Sequence, residues 1–505
     1  MSNVATLLTD SADRFPDRPV IILDDTRVTY AQLNDLSARA AAMLKAQGIT
    51  PGDRVAMVMP NVPHMPVLYY AILRIGAIVV PLNPLLTPRE LSYHFTNAEV
   101  SAVLTWEAMI EASQQAAKDA GDIPVVAIGA QDTLQKLQGV EPDNDVAEVA
   151  DNDTAVLLYT SGTTGKPKGA ELTHLNLRSN ATMSARGFSL TEEDVKFGGL
   201  PFFHVFGQTV ALNGVVSAGA SVTLLPRFDP VKALEILRRD KVTVFVGVPS
   251  MYVALLHAVN QIGPEAVEGI NLRATLSGGS PMPVEVLEKF ERVFNTTVHE
   301  GYGLSETSPV VSLNQPGGIR TPGSIGTPVD GAELDIVDGH DQPVATGDVG
   351  ELVVRGKYVM KGYWRNPGAT EAAIRDGWFH TGDMARRDDD GVYYIVDRKK
   401  DMILRGGYNV YPREIEEVLY QFPGVVEAAV LGVPDEKHGE EVGAVVVLDP
   451  KALGERSIED VTKELDAFVQ ERVAKYKYPR HYKVLDELPK GPTGKILKRE
   501  LSLDA

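Results

Sequence analysis

A buried strand that runs straight into a loop of glycines, hydroxyls and lysines is the feature that most constrains this chain. Residues 155–159 are apolar and have the length of a strand, and the loop continues to residue 169. In α/β folds, ligands bind where a loop leaves the end of a strand. The sequence therefore predicts an α/β fold that holds a nucleoside triphosphate at the end of this strand.

The loop supplies three kinds of phosphate ligand. Its glycines let backbone N–H groups approach phosphate oxygens, its hydroxyls add donors, and its lysines add positive charge. It differs from the common ATPase loop, because only two residues separate Gly162 from Gly165 and Pro167 follows Lys166. An ordinary surface turn is the alternative interpretation. The predicted phosphate ligands are Thr160, Ser161, Gly162, Thr163, Thr164, Gly165, Lys166 and Lys168.

Length and composition narrow the class of protein. A chain of 505 residues exceeds the size at which one core stops growing, so we expect two or more domains. The absence of cysteine excludes disulfides, thiolate metal sites and a covalent cysteine intermediate. The first residues lack the pattern of a signal peptide, and no apolar run approaches the ~20 residues of a membrane helix. We therefore expect a cytoplasmic protein without a transmembrane segment.

The net charge of -19 argues against a nucleic-acid partner, because such proteins present basic surfaces. It also repels anionic substrates at long range, so local basic clusters must capture them. Residues 471–500 offer one such cluster, with nine Lys and Arg side chains against four acids. A solvated helix face followed by a strand is the alternative interpretation of this segment.

Strand and helix signals alternate along the first part of the chain. A Thr29-x-x-Gln32 capping box begins a helix with an apolar stripe, and Gly48 can end that helix. Further strand signals lie at residues 54–59, 77–81, 102–105 and 124–128, and a second series of strands and helices spans residues 196–311. This alternation predicts layered, mainly parallel sheets covered by helices.

The pattern changes towards the C-terminus. From Gly323 the strands are short and separated by Gly and Asp turns, which predicts a small β-barrel-like subdomain. A charged junction follows, and beyond it one helix and further strands predict a small α+β unit. The predicted fold class is thus α/β, with a large N-terminal domain at residues 1–397, a hinge at 398–401 and a small, mobile C-terminal domain at 402–505.

Further motifs follow the phosphate loop: LPFFHVFG (200–207), GYGLSET (301–307), GELVVRG (350–356), HTGD (380–383), DRKKD (397–401) with RGGYNV (405–410), and PTGKIL (492–497). In this order they resemble the adenylate-forming acyl-CoA synthetases, the superfamily that includes fatty acyl-CoA ligases, 4-coumarate-CoA ligases, firefly luciferase and the adenylation domains of peptide synthetases. The set spans most of the chain. The resemblance implies an AMP-forming acid-thiol ligase that uses ATP, Mg²⁺ and coenzyme A.

The chemistry of such a ligase explains the residues that it needs. A carboxylate is a poor electrophile, so it must first become an anhydride. Attack on the α-phosphate of ATP forms an acyl-AMP and releases pyrophosphate, and the coenzyme A thiol then displaces AMP. Because two anions must meet, the site needs dense positive charge. The resemblance implies that Lys495 supplies this charge, that Glu306 is the ligand of Mg²⁺, and that His204 lies where the acyl, ATP and thiol sites meet.

The resemblance also implies contacts for the nucleoside and for a moving domain. Tyr302 would lie against adenine, Asp383 would accept both ribose hydroxyls, and Arg398 would make a second ribose contact. Lys400 would be the hinge residue. The remaining implied nucleotide contacts are Gly279, Ser280, Gly303 and Ser305, and the coenzyme A tunnel would include Gly406 and Gly407.

The implied acyl pocket consists of Phe206, Val210, Gly278 and Gly301. These residues are uncharged, and the glycines leave room. A malonate-type acid or an amino acid would need a buried partner for its second charge, which this set does not provide. We therefore expect an apolar acid, a medium- or long-chain fatty acid, with a cinnamate-type aryl acid as the nearest alternative.

Two other functions remain open at this point. An acyl-AMP ligase could load a carrier protein or an amine, although the short path from Gly356 to Lys400 leaves no room for the insertion of carrier-loading relatives. A non-catalytic nucleotide-binding regulator is a remote alternative.

The expected partners are small molecules, namely the acid, ATP and coenzyme A. The sequence leaves a homodimer open.

Overall fold

The computed structural model describes residues 2–130, 133–160, 166–450, 454, 456–491 and 494–503. Its α-helices are α1 Thr6–Arg14, α2 Tyr30–Ala46, α3 His64–Ile75, α4 Pro88–Ala98, α5 Ile110–Asp119, α6 Thr133–Leu137, α7 His174–Gly187, α8 Gly214–Ala218, α9 Pro230–Arg239, α10 Pro249–Ile262, α11 Val284–Phe294, α12 Pro367–Ala373, α13 Pro412–Tyr420 and α14 Ile458–Gln470. A π-helix spans Phe206–Asn213, and short 3₁₀ turns span Glu107–Met109, Pro264–Val267, Ser305–Thr307 and Lys498–Glu500.

The strands within the same ranges are β1 Pro19–Leu23, β2 Thr26–Thr29, β3 Arg54–Val58, β4 Ile78–Leu82, β5 Val100–Trp106, β6 Val125–Ile128, β7 Thr154–Thr160, β8 Lys168–Thr173, β9 Val195–Gly198, β10 Ser221–Leu224, β11 Val244–Gly247, β12 Ala274–Ser277, β13 Val298–Gly303, β14 Val310–Leu313, β15 Thr327–Pro328, β16 Ala332–Val337, β17 Gly350–Gly356, β18 Gly362–Tyr363, β19 Ile374–Arg375, β20 Trp378–Arg387, β21 Tyr393–Arg398, β22 Ile403–Arg405, β23 Tyr408–Val410, β24 Val425–Asp435, β25 Gly439–Leu448 and β26 His481–Leu485.

The first sheet carries the predicted phosphate loop. Its strand order is β18-β8-β7-β4-β3-β5-β6. Strands β3 to β7 pair in parallel, and β8 and β18 continue the edge in antiparallel pairing. Strand β4 is buried along its whole length, as expected where helices cover both faces. The capping box at the start of α2 is present, with the Thr29 hydroxyl accepting from Gln32 N.

The second sheet has the order β15-β14-β13-β12-β11-β9-β10-β1-β2. Its centre, from β13 to β1, is parallel, and β2, β14 and β15 pair antiparallel at its two sides. The chain therefore leaves β12 and β13 at the same edge, which brings the turn after Ser277 beside Tyr302 and the turn that holds Glu306. The predicted layered α/β fold is confirmed by these two sheets.

The segment expected to be barrel-like forms a five-stranded antiparallel sheet. Strands follow the order β16-β17-β20-β19, and β21 pairs with the other part of β20. A bridge between Gly326 and Tyr393 connects β21 to the start of the segment. This sheet places Asp383 in β20 opposite Arg398 in β21.

The last hundred residues form an α+β unit with apolar clusters of its own. Strands follow the order β23-β22-β25-β24, with β26 added in parallel to β25. Two of the apolar clusters contain only residues from Ile403 onward. The smaller C-terminal part of the predicted fold is thus confirmed, while its exact boundary at residues 398–401 stays a prediction.

The C-terminal unit contacts the rest of the chain through α13 and through the loop that carries Lys495. Arg413 donates from Nη1 to the carbonyl of Ile395 at 2.8 Å and from Nη2 to that of Gly323 at 3.2 Å. Gly494 lies so close to Ser250 that an added Cβ would be 2.5 Å from the serine Oγ. A glycine at this position therefore lets the loop approach the start of α10.

The connection between β6 and β7 contains α6, whose Leu137 is buried against the core. One expectation needs correction. The basic segment at 471–500 is less available to anions than expected, because three of its lysines already have carboxylate partners in the same unit: Lys477 with Glu414, Lys490 with Glu427, and Lys498 with Glu416.

Within the described ranges, every helix is too short or too polar to cross a bilayer.

Candidate active site

The two arms of the phosphate loop are β7 and β8, which pair antiparallel so that Thr160 stands opposite Lys168. Lys166 is exposed and Lys168 is half-buried. The Lys168 ammonium lies over the ring of Tyr363, 5.1 Å from its centroid. The predicted ligands between the arms lie outside the described residues: Ser161, Gly162, Thr163, Thr164 and Gly165.

Glu306 lies beside the mouth of this hairpin. Its side chain is buried, and one oxygen, Oε1, accepts from the Thr160 hydroxyl at 3.2 Å and from the Tyr363 hydroxyl at 2.9 Å. Among the described residues no Lys or Arg pairs with this carboxylate within 4.0 Å. Among these described residues, the second oxygen and the full negative charge are therefore left for another partner.

Tyr363 is a site residue that the sequence analysis missed. It belongs to β18, whose pairing with β8 fixes its place next to the phosphate loop. Its hydroxyl holds Glu306 while its ring contacts Lys168. The only signal in the sequence is an aromatic residue after a glycine, which is too common to predict a role.

The donor set at Glu306 fits a hard divalent cation. Mg²⁺ prefers oxygen ligands and is commonly held by one or two carboxylates together with substrate phosphates. Here a carboxylate and the Thr160 hydroxyl lie together at the phosphate loop. Softer metals are not favoured by these groups.

A second buried carboxylate, Asp383, stands at the other end of the site. Its Oδ2 accepts from the Tyr302 hydroxyl at 2.5 Å, and its Oδ1 lies 3.6 Å from Nε of Arg398. The pairing of β20 with β21 and the hydrogen bond from Tyr302 in β13 therefore bring together three of the residues predicted to contact the nucleoside. Burial raises the pKa of Asp383, and the Arg398 charge and the Tyr302 hydrogen bond oppose this rise.

Lys495 reaches the same region from the C-terminal unit. Burial and then the nearby Arg398 lower its pKa to about 8, while Asp383 acts in the opposite sense. At neutral pH the ammonium form still predominates. The structure thus brings a cation from the C-terminal unit to Asp383 and Arg398, which are predicted to contact the nucleoside.

His204 lies close enough to Lys495 to be affected by its charge. Burial is the main reason that the pKa of His204 falls to about 4, and Lys495 adds to the effect. Its Nδ1 accepts from the backbone N–H of Phe206 at 3.2 Å. The neutral ring therefore carries its proton on Nε2, where it can donate a hydrogen bond.

The glycines assigned to the nucleotide and acyl sites differ in what surrounds them. At Gly278 an added Cβ would lie 3.2 Å from the ring of Phe206, and Gly279 has a left-handed φ of 83°. Val210 is buried in the same apolar cluster as Phe206. Gly301 was expected to leave room for the acyl group, but a Cβ there would meet Leu276 at 3.2 Å and Leu313 at 3.4 Å.

The other predicted site residues lie in turns or at the end of a strand. Ser280 and Ser305 are half-buried. Gly303 has no space for a side chain, since a Cβ would be 1.8 Å from the carbonyl of Pro309. Lys400 is exposed in the turn between β21 and β22. Gly406 and Gly407 form the exposed turn between β22 and β23, with φ values of 57° and 86°.

Comparison with known proteins agrees with this geometry. The AMP-binding enzyme profile matches residues 8–364, and the AMP-binding enzyme C-terminal domain profile matches residues 414–495. A long-chain-fatty-acid–CoA ligase of Bacillus subtilis is 39% identical, over 98% of this chain and 93% of that protein.

Solved structures agree as well. An ATP-bound chimera of RpMatB and BxBclM superposes with a TM-score of 0.91 at 35% identity, covering 99% of this chain and 97% of the other. A benzoate CoA ligase from Burkholderia xenovorans LB400 gives a TM-score of 0.90 at 30% identity, covering 99% of both chains.

The chain belongs to the AMP-binding enzyme family. The predicted resemblance to the adenylate-forming superfamily is thereby confirmed, as is the predicted enzyme class, an AMP-forming acyl-CoA synthetase that uses ATP and coenzyme A. The profiles leave residues 365–413 between them. Asp383, Arg398 and Lys400 all lie in that interval.

We expect Asp383→Asn to raise thermal stability, and to raise it more at about pH 7 than at about pH 4. Burial raises the pKa of Asp383 in the folded protein above that in the unfolded chain, so the ionised carboxylate lowers stability above the folded pKa. This penalty disappears as the pH falls below that pKa. Melting temperatures at both pH values measure the effect, with the exposed Asp348→Asn as the control. A less stable variant at neutral pH would mean that the contacts to Arg398 and Tyr302 outweigh burial.

Proposed function

We propose that this protein activates long-chain fatty acids as acyl-AMP and transfers them to coenzyme A. The observation that carries the proposal is the meeting of Lys495 with Asp383, Arg398 and His204, because it joins the charge needed for adenylation to the nucleoside residues. The name of the Bacillus subtilis relative supports a long-chain fatty acid as the substrate. Phe206 and Gly278 are uncharged and lie next to each other, which supports an apolar acyl group.

In the first half-reaction, a carboxylate oxygen of the fatty acid attacks the α-phosphorus of ATP. A new O–P bond forms, the bond to the β-phosphate oxygen breaks, and pyrophosphate leaves with the bonding electron pair. The Lys495 ammonium lies between the reacting anions and offsets their repulsion. His204, neutral and protonated on Nε2, donates to an oxygen of the acyl group.

Glu306 and Thr160 would hold Mg²⁺ beside the phosphates. The ion would neutralise phosphate charge during the attack. Tyr363 keeps the carboxylate in place through Oε1 and leaves Oε2 available. Lys168, held over the Tyr363 ring, adds a second positive charge at the same end of the nucleotide.

The second half-reaction requires another arrangement of the C-terminal unit. The coenzyme A thiol must reach the acyl carbon that Lys495 approaches during adenylation, and both groups cannot lie there together. We propose that residues 402–505 rotate about residues 398–401 after pyrophosphate leaves. Gly406 and Gly407, on an exposed turn without side chains, would then line the thiol path.

An aryl acid is the second candidate substrate. The benzoate CoA ligase superposes almost as well as the chimera, so the fold by itself does not select an aliphatic acid. Pyrophosphate release from a panel of fatty and aryl acids, with and without coenzyme A, distinguishes the candidates and identifies the acceptor. Preference for an aryl acid would overturn the proposed substrate. The homodimer and the cytoplasmic location stay predictions.

We expect Lys495→Met to lower the rate of adenylation by ~10²–10³-fold, the usual effect of losing one group that stabilises developing charge. Transfer from supplied acyl-AMP to coenzyme A should stay near the wild-type rate, because the two anions have already been joined. Lys490→Met is the matched control, since Lys490 is in the same loop region but pairs with Glu427. Equal losses in both half-reactions would contradict the assigned role.

We expect Glu306→Gln to raise the Mg²⁺ concentration needed for half-maximal adenylation by roughly tenfold, because a charged oxygen ligand becomes a neutral one. Tyr363→Phe should produce a smaller increase, since it removes only a hydrogen bond to the same carboxylate. Adenylation rates across a Mg²⁺ titration measure both variants. An unchanged Mg²⁺ requirement in Glu306→Gln would show that Glu306 is structural.

We expect Lys400→Pro to leave adenylation nearly intact and to slow transfer to coenzyme A by at least about tenfold. Proline fixes φ near -65° and so restricts the proposed hinge. The amide of Lys400 forms no backbone hydrogen bond with the described residues, whereas Asp401 N and Met402 N both donate to the carbonyl of Arg398. Lys400→Ala is the control and should transfer normally. Normal transfer to coenzyme A in Lys400→Pro would show that the hinge does not lie at Lys400.

A further inference from the structure

Lys196 is a lysine buried in the middle of the second sheet. It lies in β9, between β10 and β11, and only 1% of it is exposed. Within the described residues, no carboxylate lies within 4.0 Å of its ammonium nitrogen. The nearby Asp194 is already bonded to Arg273 through both oxygens and to Thr243. A lysine in such a place is costly and calls for a specific polar partner.

That partner is the carbonyl of Val210, which accepts from Lys196 Nζ at 2.9 Å. Val210 belongs to the π-helix Phe206–Asn213, and the N–H of Gly214, just after this helix, donates to Thr209 O, five residues back. The chain continues as α8, after which the N–H of Gly219 donates to Val215 O, four residues back. A change from five-residue to four-residue spacing leaves one carbonyl more than the available N–H groups, and a side-chain donor such as Lys196 satisfies a carbonyl in this region.

The same π-helix supplies the proposed acyl wall. Phe206 contacts Gly278 near its start, and Val210 follows one turn later in the same apolar cluster. The start is held tightly, because an added Cβ at Gly207 would lie 2.2 Å from the carbonyl of Pro201. Changing the bonding pattern from π to α would therefore turn Val210 and the residues after it by up to about 100°, the angle of one residue in a helix.

We propose that Lys196 is a positioning residue that sets acyl-chain preference by holding the Val210 carbonyl and, with it, the π-helical register of the acyl wall. The inference rests on the proposed function, because it assumes that Phe206 and Val210 face the acyl group. The proposed role of Lys196 is indirect, because it acts through the side chains that line the pocket.

The ionisation of Lys196 gives the proposal a second readout. Burial lowers the pKa of Lys196 to about 7, Asp194 acts to raise it, and Arg273 acts to lower it. The π-helix has no ionisable side chain. The lysine therefore changes from ammonium to amine across the neutral range, and the amine is the weaker donor.

The test compares Lys196→Met, which removes the donor, with Lys196→Gln, which keeps a neutral one. The measured quantity is the ratio of kcat/KM for palmitate to that for octanoate, determined by pyrophosphate release. We expect Lys196→Met to change this ratio by about tenfold, as a shifted packed wall should, and to leave the KM for ATP within about twofold. Lys196→Gln should restore most of the wild-type ratio.

The wild-type enzyme provides a test that does not depend on folding of a variant. Its palmitate-to-octanoate ratio should change between about pH 6 and pH 8.5, whereas the ratio of Lys196→Gln should not. Effects of Lys495 and His204 on catalysis are common to both acids and cancel in the ratio.

The outcomes separate this inference from the proposed function. If none of the fatty acids tested makes the wild-type enzyme release pyrophosphate, the proposed function is overturned. Normal activation with the same chain-length ratio in all three proteins at both pH values would overturn the role of Lys196 alone. Equal losses for both acids together with a raised KM for ATP in Lys196→Met would also overturn it, since they indicate general damage to the site.

Discussion

The buried carboxylate of Asp383 is the interaction on which the arrangement of the site depends. Burial alone would favour its neutral form, yet Tyr302, Arg398 and Lys495 together stabilise the charge. Two of these residues belong to the same part of the chain as Asp383, while Lys495 comes from the C-terminal unit. Asp383 in turn raises the pKa of Lys495, against the effect of burial. Docking of the C-terminal loop and ionisation of Asp383 are therefore coupled, and each favours the other.

Glu306 illustrates a different way of holding a carboxylate. Its partners in the described part of the chain are hydroxyl groups, those of Thr160 and Tyr363, rather than cations. Hydroxyl donors fix the position of a carboxylate without neutralising it, so the charge remains available to a metal ion. In the C-terminal unit, Glu416 and Glu427 are instead paired with lysines, so their negative charge is already compensated. This contrast distinguishes a site from a structural ion pair by its chemistry.

Sequence reasoning proposed site residues mainly in glycine-rich motifs, because loops with special backbone requirements leave a strong local signal. It predicted the strand before the phosphate loop and the layered α/β fold. It missed Tyr363, whose role comes from the pairing of β18 with β8, and it missed Lys196, which looks like one polar residue in a strand. It also assigned free space to Gly301, where Leu276 and Leu313 pack closely. These features depend on contacts between distant segments, and apolar periodicity does not report them.

The difference between local motifs and contacts among distant segments also explains why adenylation chemistry is easier to infer than the identity of the acid. Activating any carboxylate requires a cation at the reacting oxygens, a carboxylate for a metal and a nucleoside pocket, and each is a local motif that a sequence displays. Selecting one carboxylate over another depends on the volume and register of an apolar wall, where one methylene changes the binding free energy by only about 1–3 kcal/mol. A π-helix held by one buried lysine alters that wall without altering any motif. If Phe206 and Val210 line the acyl pocket as proposed, acyl selectivity depends on packing between β9 and the π-helix, and two chains with identical motifs can differ in the acid that they accept.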